Sequence, residues 1–268
     1  MKRMTDGSLK KVIAVLAAAL MLMTSCVTAF AESETTEVTV TVVGENGEIV
    51  LAAEKIAVTD SDSDGVITIN DALYCAHEAK YPGGAAAGYG FENTDYGLSL
   101  TLLWGIDNGG SYGYMLNDGN PMSMADPVKN GDYVCAYAYT DLTAWSDVYS
   151  YFDVKSVEAA AGEEMTLTLR YVGFDENWSP VVIDVAGATV TVDGVATDIV
   201  TDEKGAATLT LEKGDHIISA VSEELTLVSP VCVASVAGAG LSPVWCVVIA
   251  AAVVAVAAVV IVLVKKKK

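Results

Sequence analysis

Residues 60–73 read DSDSDGVITINDAL. The stretch lies between two segments of different period. Upstream, IVLAAEKIAV over 49–58 is apolar and suits a strand; downstream, DALYCAHEAKY places Leu73, Ala76 and Lys80 on one helical line with Ala72, Cys75 and Ala79 beside it. The quoted run is therefore the junction where a strand gives way to a helix. Numbered from Asp60, carboxylates fall at positions 1, 3, 5 and 12, as Asp60, Asp62, Asp64 and Asp71. Gly65 holds position 6, where the backbone must turn sharply. Val66 at 7 offers a carbonyl, Ile67 at 8 an apolar pin, and Thr68 at 9 an oxygen or a seat for water. A hard cation such as calcium takes six to eight oxygens, and this spacing wraps that many about one point. The run reads as a structural calcium site of millimolar-range affinity that pins strand to helix; a solvated acidic turn is the other reading.

Two features set this loop apart from a paired EF-hand. Position 12 is Asp, with a shorter reach than Glu, and the preceding KIAVT reads as strand where an entering helix would stand. The loop resembles the dockerin type of calcium loop. A dockerin carries a second copy and none is found, so the resemblance implies no cellulosome docking.

The ends carry a different signal. Lys2, Arg3, Lys10 and Lys11 precede an apolar run from Val12 that closes on Ala29-Phe30-Ala31, the pattern of a secretory signal over 1–31. Met23-Thr24-Ser25-Cys26 offers a rival, lipoprotein-type reading. Near the other end, Val244 to Val264 holds no charge, and at about 1.5 Å per residue it matches a hydrocarbon core. Lys265–Lys268 would then form a cytoplasmic tail, also readable as a dilysine retrieval signal, and 237–243 a linker without a sortase motif. The expectation is a single-pass membrane protein with an extracellular N-terminal region. The chain's formal charge is −20, and both basic ends lie outside the intervening body, which is more acidic still. Such a field repels nucleic acid. Of the cysteines between the ends, Cys75 and Cys135 could bridge, or Cys75, Cys135 and Cys232 could stay as buried thiols.

Along the body, VTVTVV over 38–43 is a β-branched strand, Glu45-Asn46-Gly47 a hairpin turn, and 49–58 the return strand. Pro82-Gly83-Gly84 stops the helix after Tyr81, and 83–90 is a Gly/Ala loop. Segments 98–104, 113–116 and 133–140 read as strands. This gives an α+β domain over 36–153 with the loop at 60–71. From 154 to 236 the helix signals vanish. Alternating segments at 165–172, 188–192, 207–211 and 216–221, separated by Gly turns, predict an all-β, Ig-like sandwich.

Within the first region, LLWGIDNGGSYGYMLNDGNPMSMADPVKNGDYVCAYAYTD carries a Trp-Gly lead, a Gly-Tyr-x-x-Asn-Asp segment and VKNGD before a last strand. Over about 36–141 it resembles the transcobalamin C-terminal-like domain family of bacterial surface proteins, which implies a β-grasp-like fold. In the vitamin carriers a related domain forms one wall of a cobalamin site and a helical partner domain the other. No such partner is present here, which argues against cobalamin. Trp104, Tyr112, Tyr114 and Asn117 match the family's aromatic and turn positions; they would form a stacking platform for a ring-bearing ligand, or else core and hairpin packing. Residues 192–220 resemble the small Ig-like stalk modules of bacterial surface proteins.

Catalytic signals are sparse. His77 lies two residues after Cys75 and points to another side of the helix, His216 follows a Gly-Asp turn, and no GxSxG, HExxH, CxxC or Walker loop occurs. The sequence therefore predicts no enzyme, but a surface protein for adhesion or capture of an extracellular ligand or protein. A corrinoid or other small-molecule binding component and a passive stalk are the alternatives.

Overall fold

The computed structural model describes residues 36–238 apart from Tyr96 and Trp178. The chain enters as β1 (Thr36–Val43), turns through Glu45–Gly47 and returns as β2 (Ile49–Val58). The turn works because Asn46 and Gly47 both accept positive φ, at 56° and 76°. After the acidic loop comes α1 (Ile69–Lys80), then a single turn of helix, α2 (Ala85–Gly88). The hairpin β3 (Tyr89–Thr94) and β4 (Gly97–Leu103) follows, and β5 (Tyr112–Leu116) and β6 (Tyr133–Ala138) close the first sheet. Its order is β2-β1-β6-β5, with β1 and β6 parallel at the centre.

That centre explains the sequence pattern. Every residue of β6 is buried. Val134 and Ala136 join the core under α1 with Val38, Val40, Val42, Ile69 and Leu73. Tyr133, Cys135 and Tyr137 face the other way, onto Tyr149 and Val228. A strand covered on both faces must be apolar at every position, and YVCAYA is.

Every later element among the described residues is a strand. They are β7 (Val148–Phe152), β8 (Ser156–Ala160), β9 (Glu164–Phe174), β10 (Pro180–Asp184), β11 (Thr189–Val192), β12 (Val195–Val200), β13 (Ala206–Thr210), β14 (Gly214–Val221), β15 (Leu227–Val228) and β16 (Cys232–Ala237). One sheet runs β10-β9-β7-β15, with β13 also on β9; the other runs β12-β11-β14-β16-β8. Their core holds Phe152, Leu167, Leu169, Val190, Ile218 and Ala234. Contacts bind this body to the first sheet. Ser229 Oγ donates to the Gly47 carbonyl at 2.6 Å, and the Tyr149 hydroxyl donates to Asp118 Oδ1 at 2.8 Å. Lys155 Nζ reaches the same Asp118 oxygen at 2.7 Å, lying over the Tyr133 and Tyr151 rings.

Two expectations are corrected. The α+β, β-grasp-like reading followed by a membrane helix gives way to a mostly β fold: among the described residues sixteen strands stand against one helix of twelve residues and one of four. The helical signal ends where Pro82 and the following glycines interrupt it, and AAAG sustains only one turn. Among the described residues no helix is long and apolar enough to cross a membrane. The signal segment 1–31 and the apolar segment 244–264 both lie outside the described residues. Membrane anchoring, and the cell-membrane localisation that followed from it, therefore has no support in the structure.

Candidate metal centre

The acidic loop leaves β2 at Val58 and enters α1 at Ile69, and its local folding is set by its own carboxylates. Asp60 accepts the Asp64 N–H on Oδ1 (3.1 Å) and the Gly65 N–H on Oδ2 (2.9 Å). Asp62 accepts the same Asp64 N–H at 3.3 Å, and Asp64 accepts the Val66 N–H at 2.8 Å. Gly65 turns with φ of +92°, in the left-handed region that glycine adopts without penalty. Carboxylate oxygens of Asp60, Asp62 and Asp71 lie within 4.8 Å of one another, so the three form a group that could hold a metal ion. All-oxygen donors of this kind suit a hard cation.

Asp71 does more than line the group. It is fully buried and serves as the third helical residue of α1, where it closes a capping box with Thr68. Asp71 Oδ2 accepts the Thr68 N–H (2.9 Å) and the Thr68 hydroxyl (2.7 Å). On the other side, Asp71 Oδ1 accepts the Ser61 N–H (2.8 Å) and the Ser61 hydroxyl. One carboxylate thus ties the start of the loop to its end. Burial alone would raise its pKa, but the donors of Ser61 and Thr68 outweigh burial and hold the carboxyl below the ordinary value. Asp62 moves the other way. Partial loss of hydration in the crowded loop, with the charges of Asp64 and Asp71, pushes its carboxyl up. Crowded like charges of this kind are relieved by a bound cation.

The loop's exit is also held from outside. Ile67 accepts the Val128 N–H at 2.9 Å, Ile69 donates to Asp126 at 3.1 Å, and Asn70 donates to Met124 at 3.0 Å. Segment 124–128 thus supplies the backbone partners of the loop's exit.

Of the residues expected at this site, Asp60, Asp62 and Asp71 converge. Asp64 turns its carboxylate to the Val66 N–H, Val66 is exposed, and the Thr68 hydroxyl is engaged with Asp71. Ser61, which the sequence reading passed over, is the clasp partner of Asp71. The Thr68-x-x-Asp71 spacing carried the capping signal in the sequence.

The aromatic set sits apart. Trp104 has φ of +52°, packs partly buried against the core, and donates its N–H to His77 Nε2 at 2.9 Å. Its ring lies 4.9 Å from His77 and 5.5 Å from Tyr81. The Tyr112 hydroxyl accepts the Asn108 N–H and donates to the Ile106 carbonyl, each at 2.7 Å. Tyr114 packs half-buried on the same core, and Asn117 accepts the Tyr133 N–H at 2.9 Å. Each of these residues makes contacts within turns or against the core, and Trp104, Tyr112 and Tyr114 stay partly exposed. His77 is buried, with Nδ1 on the Leu73 carbonyl at 2.6 Å, and burial lowers its pKa to about 4. Cys75, Cys135 and Cys232 are free thiols.

Compared with protein-family models, curated proteins and solved structures, the chain finds no match.

Proposed function

We propose that this chain is a non-enzymatic adhesion or ligand-capture module whose first sheet and helix are fastened by calcium. The observation that carries the reading is the Asp71 clasp, which joins Ser61 to Thr68 beside Asp60 and Asp62. A site built into the strand-to-helix junction is placed to stabilise the fold. Asp60 and Asp62 would hold the ion, with Asp71 sharing the oxygen that now faces Ser61 and the Val66 carbonyl completing the set. The ion supplies charge neutralisation only.

The histidines support the absence of catalysis. His77 is sealed in the core with both ring nitrogens on backbone groups. His216 places Nδ1 on Asp193 (2.8 Å) and Nε2 on the Glu212 carbonyl (3.0 Å). Both of its partners are acceptors, which favours the imidazolium, and the hydrogen bond to Asp193 raises its pKa. Neither ring is placed to act as a free base.

Melting the purified chain in calcium and in chelator tests the reading. At a hundredfold excess over Kd, a ligand specific to the folded state stabilises by about 2.7 kcal/mol. For a chain of this size that raises Tm by roughly 5–10 °C. Equal melting temperatures in the two buffers would reject the calcium fastening.

A further inference from the structure

A cavity of about 690 Å³ opens between β2 and the outer face of the β14–β16–β8 strands. Ala52–Lys55 of β2 form its wall, and Glu158, Asp215, Val233 and Ser235 contribute to its floor. A second hollow of about 510 Å³ continues along β8 and β16 to Gly238 and shares Glu158 and Ser235 with the first. The groove therefore follows β8 and β16 over their paired length, from Ser156 beside Val233 to Ala160 beside Ala237. At about 3.3 Å per residue such a length admits an extended peptide of about five residues.

Two features of the groove select its occupant. The first is backbone. β2 and β8 are each the edge strand of their sheet. Where β2 lines the groove its pairing slips between Val40 and Val42. There Ala53 takes φ of +45° and donates its N–H to the Thr41 hydroxyl at 3.1 Å. Bulges of this kind re-aim an edge beside a site. The second is charge. Lys55 is paired with Glu37, Lys155 with Asp118, Glu54 with Lys80 and Asp193 with His216. Glu158 and Asp215 enter no ion pair among the described residues, although Asp215 Oδ1 accepts the Ser235 hydroxyl at 2.9 Å and its charge acts on His216; with the other charges of the lining paired, the balance in the groove is negative, in a chain of net charge −20.

We propose that this groove takes a short extended peptide bearing lysine or arginine, lying between β2 and the β8–β16 strands with a cation over the row that Glu158, Ser235 and Asp215 form across β8, β16 and β14. An extended peptide draws affinity from its backbone polar groups and specificity from the side chains that face the floor. The inference names a partner class for the capture role above and rests on that reading.

The test is fluorescence anisotropy on the full chain at about 0.15 M salt, where non-specific attraction is screened. The probe is a labelled heptapeptide alternating Lys and Val. Comparisons are a Glu/Val peptide, a Lys/Val peptide N-methylated at alternate backbone nitrogens, and spermine as competitor. The expected result is saturable binding of the Lys/Val peptide, weakened at least tenfold in Glu158→Gln/Asp215→Asn and by N-methylation, with melting temperature unchanged in the variant. Equal binding by variant and parent, or by the N-methylated peptide, overturns the proposal. So does displacement by spermine at equal concentration, or a concentration-dependent dimer that the same substitutions dissolve, which would give the groove to a second copy. A chain that ignores the peptide but melts later in calcium loses this proposal and keeps the calcium fastening.

Discussion

His77 should make the folded chain sensitive to mild acid. Its imidazole is fully buried among Tyr81, Tyr89 and Trp104, with Nδ1–H on the Leu73 carbonyl and Nε2 accepting the Trp104 N–H. The ring is neutral in that setting, because burial lowers its pKa from 6.5 to about 4. In the unfolded chain it protonates near 6.5. Between these two values the unfolded state binds the extra proton, so stability falls as pH falls from 6.5 to 4. Each unit of separation corresponds to about 1.4 kcal/mol, and the whole separation to about 3 kcal/mol. Protonation also sets an N–H against the Trp104 N–H, so the two effects act at one place. His77→Gln keeps an acceptor for Trp104 and removes the titration. Urea denaturation of both proteins at pH 7, 5.5 and 4.5 isolates the group, since carboxylates elsewhere titrate alike in the two. The parent should lose about 2–3 kcal/mol more than His77→Gln across this range. A stability difference that stays constant with pH would refute the reasoning.

Other consequences are as direct. Gly65→Ala forces a side chain into φ of +92° and should cost about 1–2 kcal/mol by urea denaturation, with weaker calcium binding by titration. In the folded chain a thiol reagent should modify the half-buried Cys75 and spare Cys135 and Cys232, whose thiols burial pushes up to about 12 and about 11; equal reaction of all three would contradict the packing. Asp141 accepts the Thr143 and Ala144 N–H groups and the Ser146 hydroxyl, and these bonds hold its pKa near 2. A carboxyl resonance of Asp141 titrating near 4 by NMR would show that the 141–147 turn is not closed as described.

Local chemistry made part of this fold legible. The β-branched run of β1, the Asn46-Gly47 turn and the return in β2 each follow from rules acting within a few residues. So does the start of α1, where Thr68 and Asp71 cap each other. The loop's three converging aspartates were readable from spacing alone. The rest depends on partners far along the chain. β8 (SVEAA) and β10 (PVVID) carry weak patterns and are strands because β16 and β9 pair with them. The packing of Trp104, Tyr112 and Tyr114, partly buried against the first core, depends on distant partners in the same way. Trp104 turns left-handed just before Gly105, where Tyr81 from the end of α1 fits against the backbone. Nothing near Trp104 in sequence announces that contact. His77 gave no sign of its burial either, since its neighbours on α1 are polar on one side and apolar on the other.

The central claim is that the Asp60–Asp71 loop is a calcium site, and calorimetric titration of the purified chain with calcium tests it most directly. The account predicts saturable binding of one ion per chain, lost in Asp60→Asn/Asp62→Asn while the variant remains folded in chelator. A chain that takes up no calcium at millimolar concentration, or binds it equally well without those two carboxylates, would contradict it.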